Sequence, residues 1–293
     1  MAFGLGTGAF VDAGRYGDLV DQLEDAGWDS LWLSERVNGP VPDPLVALAV
    51  AAGRTRRLKL GTSVLVVPGR NPVLLAKELA SLDRLSGGRM LPAVGLGAPD
   101  PLEHQAFGVA REDRAPLFDE ILPLLRQLWT GEPVHHHGPR FHLDGVTVLP
   151  TPAQDPFDVW MGGIAPSELR RVGRLGDGWL PSFVTPEDAA AARPAVEAAA
   201  TEAGRTIDPE HWGALVLYAK DGLPERFRAA LATRRPDVDP TSVVPDTIEG
   251  VRSLLEGFIA HGFTKLVVVP AGEPGDWTAE VATLADALLD LQT

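Results

Sequence analysis

Residues 58–97 read LKLGTSVLVVPGRNPVLLAKELASLDRLSGGRMLPAVGLG. An apolar strand, Leu58 to Val67, runs into a loop and then a helix from about Pro72 to Leu85. A Gly-Gly turn follows, then a second apolar strand from Met90 to Leu96. Both strands are nearly unbroken runs of apolar residues, the pattern of strands buried on both faces of a parallel sheet with helices outside. Leu74, Leu75, Leu79, Leu82 and Leu85 form a stripe at helical spacing, predicted to face the sheet. The stretch is one βαβ unit.

The same alternation extends in both directions. Upstream, a strand is predicted from Ala2 to Gly8, a helix from Arg15 to Ala26 stopped by Gly27, a strand from Ser30 to Ser34, and a helix from Pro44 to Arg54. Downstream, a long loop (APDPLEHQAFGVARED) precedes a helix from Ala115 to Trp129, with a kink expected at Pro123. Residues 131–156 are irregular, and FHLDGVTVLP suggests a small hairpin around Asp144-Gly145. Strands then fall at Phe157 to Met161, within DGWLPSF, at Ala214 to Ala219 and at Lys265 to Val269. Helices open at Pro166 and at Pro186, the latter with Thr185 and Asp188 in a capping-box pattern; two short helices and a last one from Thr278 to Leu291 complete the series. Eight strand–helix units imply an α/β chain folded as a (β/α)8 TIM barrel over residues 1–293, with an insertion between helix four and strand five. The alternative is an open doubly wound sheet.

Of 293 residues, 45% are hydrophobic, ample for a large core, and the net charge is −14. That charge argues against nucleic acid or an anionic membrane as partner. With no cysteine there is no disulfide framework and no thiolate site. No apolar run approaches the 18 or so residues of a membrane span. The opening MAFGLGTGAF lacks a basic leader, and a cytoplasmic protein is expected.

Barrel chemistry sits at the C-terminal ends of the strands. Those positions are Gly8-Ala9-Phe10, Ser34-Glu35-Arg36, Pro68-Gly69-Arg70, Gly97-Ala98-Pro99, Gly162-Gly163-Ile164, Pro181-Ser182-Phe183, Lys220-Asp221 and Pro270-Ala271. Glycines let a flat or phosphorylated ligand approach the backbone, and the helix behind Gly162-Gly163 offers free N–H groups; a plain tight turn is the other account of that pair. Glu35 is placed as acid, base or hydrogen-bond partner, or else as a structural partner of Arg36. His104 follows strand four, within reach of the rim or solvated on its loop. His135, His136, His137 and His142 form either a metal cluster or the polar face of a hairpin, and alternation of side chains along a strand favours the hairpin.

Four segments carry a resemblance: GWDSLWLSE (27–35), residues 58–89, FGV…LLRQLWTG (107–131) and VWMGG…GRLGDGW (159–179). In this order they resemble the bacterial luciferase-like monooxygenase family, in its coenzyme F420-dependent oxidoreductase branch. The resemblance implies F420, or alternatively FMN, at the C-terminal face of the barrel. It implies a non-prolyl cis peptide at Ser63-Val64 backing the ring, with Gly95, Leu96 and Gly97 beside it. It implies that Gly162, Gly163, Ile164 and Ala165 hold the phosphate, and that the chain forms a homodimer. The chain departs from the sugar-phosphate dehydrogenases of that branch, carrying Arg36 where they have a histidine and Ala98 where they have a glutamate.

The expected activity is hydride transfer between a deazaflavin and a small organic substrate, with Glu35, Arg36 and His104 as protic groups. The alternatives are an FMN-dependent monooxygenase and a flavin-binding protein without turnover. The region of Phe10, Trp179 and Phe183 suggests an apolar or aromatic substrate.

Overall fold

The computed structural model describes residues 1–6, 9, 11–220 and 222–292. Thr7, the predicted strand end at Gly8, and the rim positions Phe10 and Asp221 lie outside the described residues. The strands and helices follow one another as β1 (Ala2–Leu5), α1 (Ala13–Ala26), β2 (Ser30–Leu33), α2 (Pro44–Arg54), β3 (Lys59–Thr62), β4 (Leu65–Val66), α3 (Pro72–Ser86), β5 (Met90–Leu91), β6 (Ala93–Gly95), α4 (Pro101–Phe107) and α5 (Arg111–Leu128). They continue with β7 (Val134–His137), β8 (His142–Val146), β9 (Trp160–Met161), α6 (Pro166–Leu175), β10 (Gly178–Trp179), α7 (Pro186–Glu202), β11 (Gly213–Tyr218), α8 (Glu225–Arg234), α9 (Ile248–Ala260), β12 (Lys265–Pro270) and α10 (Trp277–Leu288).

The strands close into a ring. One sheet runs β11-β12-β1-β2-β3-β5 and a second β10-β9-β6-β4. The predicted third strand is β3 followed by β4, broken at Ser63-Val64; the fourth is β5 followed by β6, broken at Pro92, which has no N–H to give a ladder. The two sheets are therefore continuous through these strands. The remaining seam is bridged in parallel at Trp179↔Trp212 and Ser182↔Leu215. There Trp179 N donates to His211 O at 3.0 Å and Leu215 N to Pro181 O at 2.8 Å. The result is the expected (β/α)8 barrel, with the β7–β8 hairpin as its insertion.

The inside of the ring is filled one layer below the mouth by the indoles of Trp32 and Trp160. Glycines opposite them make the room: a Cβ at Gly61 would fall 2.2 Å from the Trp32 ring, and one at Gly178 would fall 2.5 Å from that of Trp160. A second apolar layer lies between strands and helices, where Leu31, Leu60, Leu79, Phe118, Leu125 and Val172 are buried. Helix starts follow the sequence signals. Asp43 caps α2, Asn71 caps α3, and Thr185 with Asp188 closes a capping box on α7.

Three expectations change. Leu74 and Leu85 of α3 are 61% and 82% exposed, and the sheet-facing set is Leu75, Ala76, Leu79 and Leu82. At about 100° per residue, positions 74 and 85 lie together on the outer face. The loop after the fourth strand contains α4, which starts at the Asp100 cap with Pro101 and stops at Gly108, φ 64°. The hairpin turns at Gly138–Phe141, where Gly138 N donates to Phe141 O at 3.0 Å; Gly145, φ 71°, sits with Asp144 in the bulge of β8, the two facing His135 of β7. Among the described residues no helix is long and apolar enough to cross a membrane.

Candidate active site

A cavity of about 1260 Å³ opens at the C-terminal ends of the strands. All nine positions expected to hold a cofactor (63, 64, 95–97 and 162–165) line it, together with Glu35 and Arg36. The Ser63-Val64 peptide is cis. Ser34 Oγ donates to Ser63 O at 3.0 Å, tying β2 to this wall. Below it, Thr62 Oγ1 donates to Ala93 O at 2.7 Å and accepts from Ala93 N at 2.9 Å. The next strand comes close because it carries no side chain: a Cβ at Gly95 would lie 2.6 Å from Val64 Cγ2. Gly97, φ 80°, likewise leaves room for Val66, 3.0 Å from where its Cβ would be. A wall in which two glycines keep the backbone this close fits a planar redox ring.

Glu35 is buried at the edge of that wall. Its carboxylate accepts from Val66 N at 2.6 Å and from Arg70 Nη2 at 2.5 Å, while Arg70 Nε donates to Val66 O at 2.9 Å. Burial pushes the Glu35 carboxyl above its ordinary value; Arg70 and the Val66 amide pull the other way without cancelling it. The partner of Glu35 is thus Arg70, not the adjacent Arg36. Arg36 turns to Asp100 at 2.7 Å and to Glu103 at 3.3 Å. Glu103 is itself buried and accepts from Val37 N at 3.0 Å, so Arg36 and its loop are held over the mouth.

His104 stands apart. It lies on α4 in close contact with Arg114, lining a small crevice behind Gly97 with Val66, Pro68 and Phe107 rather than the main cavity. Trp179 is also displaced from its expected place. It is buried on the outer side of the ring, edge-on to Trp212 at 6.3 Å, and its Nε1 donates to Gly163 O at 2.9 Å. Phe183 does line the mouth, with φ 59°. The histidines of the hairpin go to separate carboxylates, His135 to Asp144 at 2.7 Å and His136 to Glu120 at 2.9 Å. Among the described residues no group of three or more metal-ligating side chains converges.

Two features escape sequence reasoning. The first is Glu168, whose Oε2 accepts from Ile164 N and from Ala165 N, each at 2.9 Å. Two of the four amides expected to hold a phosphate, those of Ile164 and Ala165, are taken by the chain's own carboxylate. The sequence signal was a glutamate at the third position of α6, able to reach back to the amides before the helix. The second is a set of arginines, Arg111, Arg114 and Arg171, lining the cavity beside Arg36. Arg111 and Arg114, three apart at the start of α5, share one face of the helix.

The profile of the luciferase-like monooxygenase family matches residues 3–244. The chain belongs to that family. It is 34% identical over 177 residues to an F420-dependent glucose-6-phosphate dehydrogenase of Kineococcus radiotolerans, covering 57% of this chain and 52% of the relative. The chain thus spans about half the length of that relative. Against the 5,10-methylenetetrahydromethanopterin reductase of Archaeoglobus fulgidus it is 26% identical over 99% of its own length and 85% of the relative's. Among solved structures, the monooxygenase RslO1 of Streptomyces bottropensis superposes with a TM-score of 0.75 at 25% identity, covering 99% of both chains. The luciferase-like barrel therefore accounts for the ring of strands and for the position of the cavity.

Proposed function

We propose that this luciferase-like chain is a coenzyme F420-dependent oxidoreductase acting on a small organic substrate. The observation that carries the reading is the wall formed by Ser63, Val64 and Gly95 to Gly97 at the mouth of the barrel, where Gly95 and Gly97 leave no room for a side chain of their own. The two relatives at 34% and 26% identity, one of them named as F420-dependent, support the deazaflavin. When bound, the deazaflavin supplies hydride exchange at its carbon five. The protein holds the ring edge-on to the substrate and keeps water out. Glu35 and Arg36 are the protic groups at the wall, and His104 acts on the site through Arg114. Arg36 and Ala98 stand where, by the resemblance, the sugar-phosphate dehydrogenases carry histidine and glutamate, which argues against a sugar phosphate as the substrate.

The test is a titration of the purified protein with F420 and with FMN, followed by cofactor fluorescence. F420 should bind with micromolar affinity and FMN more weakly. Tight FMN binding without F420 binding would overturn the assignment. A second reading, an FMN-dependent monooxygenase, is favoured by the full-length likeness to RslO1. It predicts oxygen consumption with reduced FMN. Cofactor binding with no oxidation of the reduced cofactor by a broad acceptor panel would leave a flavin-binding protein without turnover.

We also propose a homodimer. Val46 and Val50 on α2 and Leu74 and Leu85 on the adjacent α3 expose apolar side chains. Light scattering on the eluted protein would show twice the chain mass.

A further inference from the structure

We propose that the sector of the cavity formed by β10, β11 and α8 receives the substrate, a neutral and largely apolar molecule with one carbonyl or hydroxyl oxygen, and that Phe183, positioned by Arg235, selects it. This inference deepens the oxidoreductase reading and rests on it.

Charge is unevenly spread around the cavity. Its ionisable side chains come from the loop after β2 (Glu35 and Arg36), from α5 (Arg111 and Arg114) and from α6 (Glu168 and Arg171). The sector running from β10 through β11 to α8 supplies Leu180, Ser182, Phe183, Leu215, Ala229 and Thr233, and among the described residues it carries no ionisable group. The parallel bridge Ser182↔Leu215 joins the two strands of this sector into one surface. Behind it Leu217, Leu231, Val243 and Val244 are buried, so α8 is seated on apolar side chains. Thr233 Oγ1 already donates to Ala229 O at 3.0 Å. Ser182 Oγ makes no hydrogen bond among the described residues. A charged group pressed against this wall would lose its water and gain no counter-charge. An uncharged apolar body loses little there, and one oxygen can take the hydrogen bond of Ser182.

Phe183 is held in place from outside the cavity. Its φ of 59° lies in the left-handed region, which a bulky residue keeps only when its surroundings impose it. The restraint is Arg235. Its Nη1 donates to Phe183 O at 2.9 Å, and its Nη2 donates to Asp188 Oδ2 and to Asp237 Oδ2, each at 2.9 Å. Asp188 belongs to the capping box of α7, and Arg235 directly follows α8, where its N donates to Leu231 O at 2.7 Å. One side chain, 10% exposed, thus ties the end of α8 and the start of α7 to the carbonyl of Phe183. The planar fork of a guanidinium reaches all of these partners at once; a lysine ammonium keeps a carboxylate and gives up the carbonyl. Phe183 is therefore a fixed part of the wall, and its bulk limits what fits beside Leu180 and Leu215.

The experiment measures the affinities of cyclohexanone, cyclohexanol, cyclohexanecarboxylate and glucose 6-phosphate by saturation-transfer NMR. The proteins are the wild type, F183A, R235K and the double variant, with F420 affinity followed in parallel by fluorescence. In the wild type the two neutral probes should bind about 10-fold or more tighter than the two anions. F183A should weaken cyclohexanone about 5-fold or more, and R235K about 3-fold or more. The double variant should match F183A within about 2-fold, because an arginine that acts through Phe183 has nothing further to lose. F420 affinity should stay within about 2-fold throughout. Losses that add in the double variant would make Arg235 a general brace and overturn its positioning role. Anions bound as tightly as the neutral probes, or unchanged cyclohexanone affinity in F183A, would overturn the proposal. F420 binding with no binding of either neutral probe would overturn it and leave the cofactor reading standing. Neutral probes bound without F420 would uphold the apolar sector and overturn the cofactor reading instead.

Discussion

The backbone at Gly95 and the side chain of Val64 occupy adjoining space that no additional atom can enter: a Cβ at position 95 would sit 2.6 Å from Val64 Cγ2. Val64 is β-branched and has little rotational freedom with which to step aside. Gly95→Ala should therefore push the wall into the cavity. Overpacking of this kind costs about 1–3 kcal/mol, and part of it will appear as lost cofactor affinity. Thermal denaturation together with a cofactor titration checks this. A variant with wild-type affinity would show that the wall yields freely at this point.

Glu35 makes a prediction with a definite sign. Its side chain is 6% exposed and pairs with Arg70, so Glu35→Ala leaves that guanidinium only the half-exposed Asp43, 3.9 Å away, as counter-charge. Breaking a buried pair in this way costs about 3 kcal/mol or more, measurable by urea denaturation. Because burial raises the folded-state value above the ordinary 4.5, folding favours the protonated acid. That contribution is full below 4.5 and is lost as pH rises through the raised value. Glu35→Gln has no proton to lose. The stability of wild type relative to Glu35→Gln should therefore fall as pH climbs from the ordinary value upward. A difference that moves in favour of glutamate with rising pH would contradict the assignment.

How far the sequence could be read depended on the range of each interaction. Strands buried on both faces announce themselves as unbroken apolar runs, so the βαβ unit at residues 58–97 and the count of eight were legible. The cap at Thr185 acts within three residues of itself and was legible too, whereas the caps at Asp43 and Asn71 emerge from the structure. Helix α4 was missed because its seven residues are too few for a periodic pattern, although Asp100-Pro101 and Gly108 marked both ends. Leu74 and Leu85 misled because a leucine count does not say which arc of a helix is buried. The partner of Glu35 is 35 positions away, and only the turn after β4 brings Arg70 back to it; the nearest cation in sequence, Arg36, was the wrong one. Arg111 and Arg114 were hidden in a segment that reads as an ordinary charged helix start.

At the opposite end of the barrel, Asp29 is gripped by Lys265 and by Lys59, the latter at 2.8 Å. Burial alone would raise the Asp29 carboxyl, but the two ammonium groups outweigh it and hold it well below the usual carboxylate range. A depressed value contributes stability above the ordinary 3.8 that is lost as pH falls below it. Asp29→Asn should cost stability at neutral pH and flatten the acid limb of the unfolding curve. Denaturation at a series of pH values from neutral to acid, read against wild type, checks both. Parallel acid limbs in the two proteins would mean that Asp29 is not the acid-labile group.

Trp179 never reaches the cavity, yet it holds one of its turns. Its Nε1 donates to Gly163 O, whereas the Nε1 of its neighbour Trp212 is buried without a hydrogen-bond partner among the described residues. The two indoles meet edge-on in the same outer layer, and phenylalanine at either position trims that packing, at Trp212 together with the contact of the Arg193 guanidinium 4.3 Å over its ring. Only Trp179→Phe also orphans a carbonyl of the turn carrying residues 162–165. A hydrogen bond of this kind is worth about 1 kcal/mol, close to a 5-fold change in an equilibrium. Trp179→Phe should therefore weaken cofactor binding several-fold beyond whatever Trp212→Phe does. Matched titrations of the two variants, normalised by their melting temperatures, separate positioning of the turn from general loosening. Equal losses in both would assign Trp179 to packing alone.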